Sequence, residues 1–127
     1  MFILKRIALF VAVLGMAIMV QSCGEKHDAS GVAKRFLKES LRSPGDLSGF
    51  KAKGLDSTAM VSDKAIEIMR RKASASDELI EDIDYADRKD GSKLLILKAE
   101  YELGDSMVRA SFYINKEMDG VVAFKTN

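Results

Sequence analysis

The chain has 127 residues, 47% of them hydrophobic, with 20 Lys and Arg against 19 Asp and Glu. That length allows one domain at most, large enough to fold around a core without staples. The near-balance of charge argues against a nucleic-acid partner, which needs clustered Lys and Arg to displace counterions.

The first element is a charged start followed by an apolar run. Lys5 and Arg6 precede Ile7 to Val20, which carries no charge. A spanning helix needs about 17–25 apolar residues, so this shorter run fits the hydrophobic region of an export signal. Val20-Gln21-Ser22-Cys23 comes next. This resembles the lipobox of bacterial lipoproteins, with an aliphatic residue at −3, a small one at −1 and the obligatory cysteine at +1. The resemblance implies diacylglyceryl transfer to the Cys23 sulfur, cleavage between Ser22 and Cys23, and acylation of the new amine. The alternative is an uncleaved anchor in which Cys23 is incidental. The expected division is a signal peptide over 1–22, a lipidated Cys23 with a polar tether over 23–29, and one domain over 30–127. Two bases precede Cys23, which leaves 18 bases against 19 acids in the mature chain. Gly24 stands where an aspartate commonly signals inner-membrane retention, which favours the outer membrane. Both its periplasmic and its external face stay open. His27 is read as a solvated tether residue. One cysteine and one histidine provide neither an internal disulfide nor a zinc ligand set, so no metal or cofactor is expected.

Helix one is expected over about 31–42. Ala33, Phe36, Leu37 and Leu41 share a face, Asp28 or Ser30 caps the start, and Pro44-Gly45 stops the helix. Residues 46–60 read as irregular. Helix two begins after Ser62, an N-cap with Asp63 in the first turn and a Val61–Ile66 hydrophobic staple; Ile66, Met69 and Ala73 form its buried stripe. Residues 77–82 either extend this helix or lead into a strand at about 83–88. From Leu94 the pattern is β: strands at about 93–103, 106–116 and 121–126, with turns at Gly104-Asp105 and Asp119-Gly120.

Register can be argued from the turn. With Gly104-Asp105 as loop residues, Tyr101 faces Val108, Ala99 faces Ala110, Leu97 faces Phe112 and Leu95 faces Ile114. This is a wholly apolar face that a one-residue slip would destroy. The other face pairs Glu100 with Arg109 as an ion pair. It also carries Leu94, Ile96, Met107 and Tyr113, with Ile96 opposite Tyr113. That apolar cluster is a docking surface for a homodimer or an envelope partner, or is covered by residues 46–60, or is simply exposed. A loop of Met118, Asp119 and Gly120, with glycine left-handed, would set Ile114 opposite Phe124.

The expected class is α+β, with two N-terminal helices on one face of a three- to four-stranded antiparallel meander. The helix containing Val32 to Leu37 and the closing Asp119 to Lys125 resemble the cone-shaped domains of the ketosteroid-isomerase-like and cystatin-like groups. Enzymes of that fold hold an acid or base inside the cone, whereas this face offers only Tyr101 and Tyr85. Asp82, Asp84, Asp87 and Asp90 lack calcium-loop spacing. The folded region has no histidine to activate Ser57 or Ser62. The basic residues of both helices, including Lys34, Arg35, Arg42 and Arg70, read as solvated faces. The expected function is a membrane-tethered, non-catalytic binding or accessory module of the cell envelope. An isomerase- or cyclase-like enzyme and a cystatin-type inhibitor are the alternatives.

Overall fold

The structure, a computed structural model, describes residues 24–127 except Asp90. Residues 24–40 are helical (α1), so the expected tether is instead helix. Ala29 is fully buried and Val32 nearly so, and both pack in the main core. These contacts extend the apolar stripe of Ala33, Phe36 and Leu37 one turn and more towards the N-terminus. Burial of that stripe offsets the weak helix propensity of a glycine- and aspartate-containing start. Ser30 does not cap; its hydroxyl donates to Lys26 O at 2.8 Å within the helix.

The segment expected to be irregular contains a short 3-10 turn, Pro44–Asp46, and then a twelve-residue strand, β1 (Leu47–Thr58). Its apolar residues Leu47, Phe50, Ala52 and Leu55 all join the core. They are spaced by three, two and three residues because β1 shifts register against β2 twice, between Ser48 and Lys51 and between Ala52 and Gly54. Such bulges break the period of two that marks a strand in sequence.

β2 (Leu94–Leu103), β3 (Ser106–Asn115) and β4 (Val121–Thr126) complete an antiparallel sheet in the order β1-β2-β3-β4. All ten β2–β3 pairs have the expected register, from Leu94 opposite Asn115 to Leu103 opposite Ser106. Gly104 has φ +61°, as the first central residue of a type II′ hairpin turn requires. The last hairpin differs. Phe124 faces Phe112 and not Ile114, and Ile114 faces Val121, because the chain reverses between Asn115 and Gly120; Val122 is an extra residue between the two pairs. The left-handed residue is Met118 (φ 58°), not Gly120. Glycine is needed at 120 for space, since a Cβ there would lie 2.9 Å from the Ala86 Cβ. The turn is organised by the buried Asn115, whose side-chain oxygen accepts from Asp119 N at 2.8 Å.

α2 (Asp63–Ser74) starts as expected: the Ser62 side chain accepts from Ala65 N at 3.1 Å, and Ile66 and Ala73 are buried. Only its C-terminal Ala73 joins the core beneath α1; Ile66 packs in a second cluster with Leu94 and Tyr113. β1 separates the two helices in sequence, and α2 lies along β4. The expected strand at 83–88 forms no ladder; it runs beside β4, where Ala86 N donates to Val121 O at 2.9 Å. The protein is α+β, with α1 on the inner sheet face and α2 at the β4 edge.

α1 has a fixed direction. Gly104 N donates to Asp46 O at 3.0 Å, placing the C-terminal end of α1 near the β2–β3 hairpin. Arg35 donates to Asp119 O at 3.1 Å in the opposite turn. The N-terminal half of α1 therefore points to the end of the sheet where Thr58, Leu94 and Asn115 are paired neighbours.

Candidate functional site

Ser22 and Cys23, the cleavage and lipidation residues of the expected signal, lie outside the described residues. The helix begins at residue 24, the first described residue, and His27 is exposed on it.

The six residues expected to form a partner surface separate into two groups. Leu94 is fully buried and Tyr113 is only 8% exposed. Both pack with Ile66, Val122 and Ala123, with Val61, Met69 and Ile96 against the same cluster. These residues are core, covered by α2 and not by residues 46–60. The physical reason lies in α2: its stripe of Ile66 and Met69 needs an apolar surface, and the Leu94 end of the outer face supplies it. Met107, Glu100 and Arg109 stay on the open half of that face, with Met107 62% exposed. Glu100 lies 3.2 Å from Arg109, as the register implies, and 3.5 Å from Lys53 of β1. Exposed pairs of this kind contribute about 0–1 kcal/mol, so they pattern the surface more than they hold it.

The interior between α1 and the sheet is filled by aromatic rings. Phe112 lies 5.1 Å from Phe124 and 6.3 Å, edge-on, from Phe36; Phe50 stacks on Tyr101 at 6.3 Å. Burial pushes the Tyr101 hydroxyl well above its ordinary pKa of 10.0, and nearby Glu78 adds to the effect. Tyr85 is raised too, by burial, with the Arg70 guanidinium opposing. Both phenols hold their protons more tightly than free tyrosine, the wrong direction for a base near neutral pH. Beside the core a groove of about 160 Å³ runs between α1 and the segments at 84–86 and 119–121. Arg35, Glu39 and Asp84 line it. Among the described residues no three His, Cys, Asp or Glu side chains converge as a metal site.

Of three arginines expected to be solvated, Arg35 and Arg42 are exposed yet donate to backbone carbonyls, and Arg70 is half-buried. Arg70 donates from Nε to Val122 O at 2.8 Å and from Nη2 to Ala86 O at 3.1 Å, with its guanidinium 4.8 Å over the Tyr85 ring. Arg42 donates to Leu79 O at 2.7 Å, and Arg35 holds the 119 turn. Sequence reasoning also passed over Arg88, whose side chain is 6% exposed and bonds Val61 O and the Asp63 carboxylate at the start of α2. It passed over Met60 as well, which is 91% exposed in the loop between β1 and α2. No helix among the described residues is long and apolar enough to cross a membrane. No family model matches the chain, and no curated protein or solved structure matches it.

Proposed function

We propose that the chain is a lipid-anchored, non-catalytic binding or accessory protein of the bacterial cell envelope, held at the outer membrane through Cys23. The observation that carries this reading is Val20-Gln21-Ser22-Cys23 placed directly behind a basic start and a short apolar run. Two or more acyl chains anchor stably, at about 0.8 kcal/mol per buried CH₂, where one chain is marginal. The non-catalytic part is supported by the ring-filled interior and by the two phenols held protonated. A helix lying along one face of an antiparallel sheet keeps kinship with the ketosteroid-isomerase-like and cystatin-like domains within the proposal. The open half of the outer face, with Met107, Glu100 and Arg109, is the surface we assign to a second copy or an envelope protein.

The test is fractionation of cells producing the wild type and Cys23→Ala. The wild type is expected in the membrane fraction as a processed chain, and Cys23→Ala as an unprocessed or mislocalised one. Identical processing and location of the two proteins would refute the anchor.

A further inference from the structure

We propose that one end of the folded domain, and not only the lipid on Cys23, lies against the bilayer, with Met60 in the headgroup region. The proposal rests on the lipid-anchor reading and adds a fixed orientation to it.

The first support is the absence of slack between anchor and core. Residues 24–28 are helical and Ala29 is fully buried in the main core. At 1.5 Å per residue, Gly24 stands only about 7.5 Å along the helix axis from Ala29, whereas the same five steps fully extended could reach about 17 Å. A lipid on Cys23 would therefore bring the adjoining end of the domain to the membrane surface.

The second support is what that end contains. α1 points its N-terminal half towards the sheet end defined by Thr58, Leu94 and Asn115. Met60 lies two residues after Thr58 and is 91% exposed, the most exposed large hydrophobic side chain among the described residues. Arg88 ties the start of α2 to the segment before β2 at this same end, so the loop carrying Met60 is held at both sides. A flexible, polarizable methionine suits the boundary between headgroups and acyl chains. Acids and bases are mixed in the segments at this end: Lys89 approaches Glu117 at 4.0 Å, and Glu25 and Asp28 accompany Lys26 in the first turns of α1. Apposition would thus depend on the covalent anchor and one apolar contact, and not on anionic lipid.

The far end is the Gly104-Asp105 turn, nine strand residues away, or about 30 Å at 3.4 Å per residue. Cys23 is the only cysteine, and its sulfur is occupied once lipidated, so an introduced thiol is unique. Met60→Cys and Asp105→Cys, each carrying an environment-sensitive fluorophore, are compared in the lipidated full protein in phosphatidylcholine vesicles containing brominated lipid. The Met60→Cys probe should be quenched several-fold more than the Asp105→Cys probe. A flexible twelve-residue glycine-serine insertion after Cys23 should bring the two towards equality. Mass spectrometry of the same samples separates the two failures. Acylated Cys23 with equal quenching overturns the apposition alone. Unacylated Cys23 overturns the anchor, and the apposition with it.

Discussion

Tyr113 shows how one residue's environment decides between a surface role and a core role. It is paired with Ala123 on one side and Ile96 on the other, and Ile66 of α2 closes over it. Removing a buried ring costs about 3–5 kcal/mol in lost burial and cavity. Tyr113→Ser should therefore lower stability to urea by an amount of that order, since Ser leaves a hydroxyl in place of the ring. An unchanged urea midpoint would mean that α2 does not cover this face in solution. Asn115, two residues on, is buried for a different reason. Its side-chain oxygen accepts from Asp119 N and Gly120 N, groups that the irregular β3–β4 turn leaves without a ladder partner.

The two edges of the sheet are managed in different ways. The free edge of β1 is interrupted by two bulges and carries Lys51 and Lys53, features that discourage pairing with another chain. The β4 edge is covered instead, by Ala86 N on Val121 O and by Arg70 on Val122 O. Arg70→Met keeps much of the side-chain bulk but leaves Val122 O and Ala86 O without their donor. The expected cost is about 1–3 kcal/mol. Amide exchange should quicken in α2 and around Ala86 while β2 and the centre of β3 stay protected. Uniform acceleration across the sheet would mean that Arg70 supports the fold globally and not this edge. The same elements explain what was legible in sequence. The β2–β3 hairpin could be read residue by residue because the inner face is apolar at every second position from Leu95 to Tyr101 and from Val108 to Ile114, and its turn is only two residues long. β1 could not, since its bulges replace alternation with a spacing of three, two and three. In β4 the error lay in the turn: the chain reverses between Asn115 and Gly120, earlier than a loop of residues 118–120, so Ile114 faces Val121 instead of Phe124, and the extra residue Val122 then sets Phe112 opposite Phe124. The apolar character of Leu94, Ile96 and Tyr113 was plain, but what covers them was not. The amphipathic stripe of α2 fixes that it must pack, and nothing local fixes on which surface.

For the whole molecule, the buried phenols set a pH limit. Tyr101 and Tyr85 have folded-state pKa values above the ordinary 10.0, so the folded chain keeps protons that the unfolded chain releases. Their contribution is fully present below pH 10 and is lost as pH rises through the folded-state values. Each group can steepen the fall by at most about 1.4 kcal/mol per pH unit. Urea midpoints should decline above pH 10, and Tyr101→Phe should flatten that decline. An equally steep decline in Tyr101→Phe would place the alkaline sensitivity in other groups. At this scale the proposed anchor and the fold also meet: the helix that fills the inner sheet face is the one whose first described residue is next to Cys23 in the chain. The most direct measurement is the mass of the N-terminal peptide from protein isolated from its own membranes. The account predicts a chain beginning at Cys23 with diacylglycerol on its sulfur. A chain beginning at Met1, or a free Cys23 thiol, would contradict it.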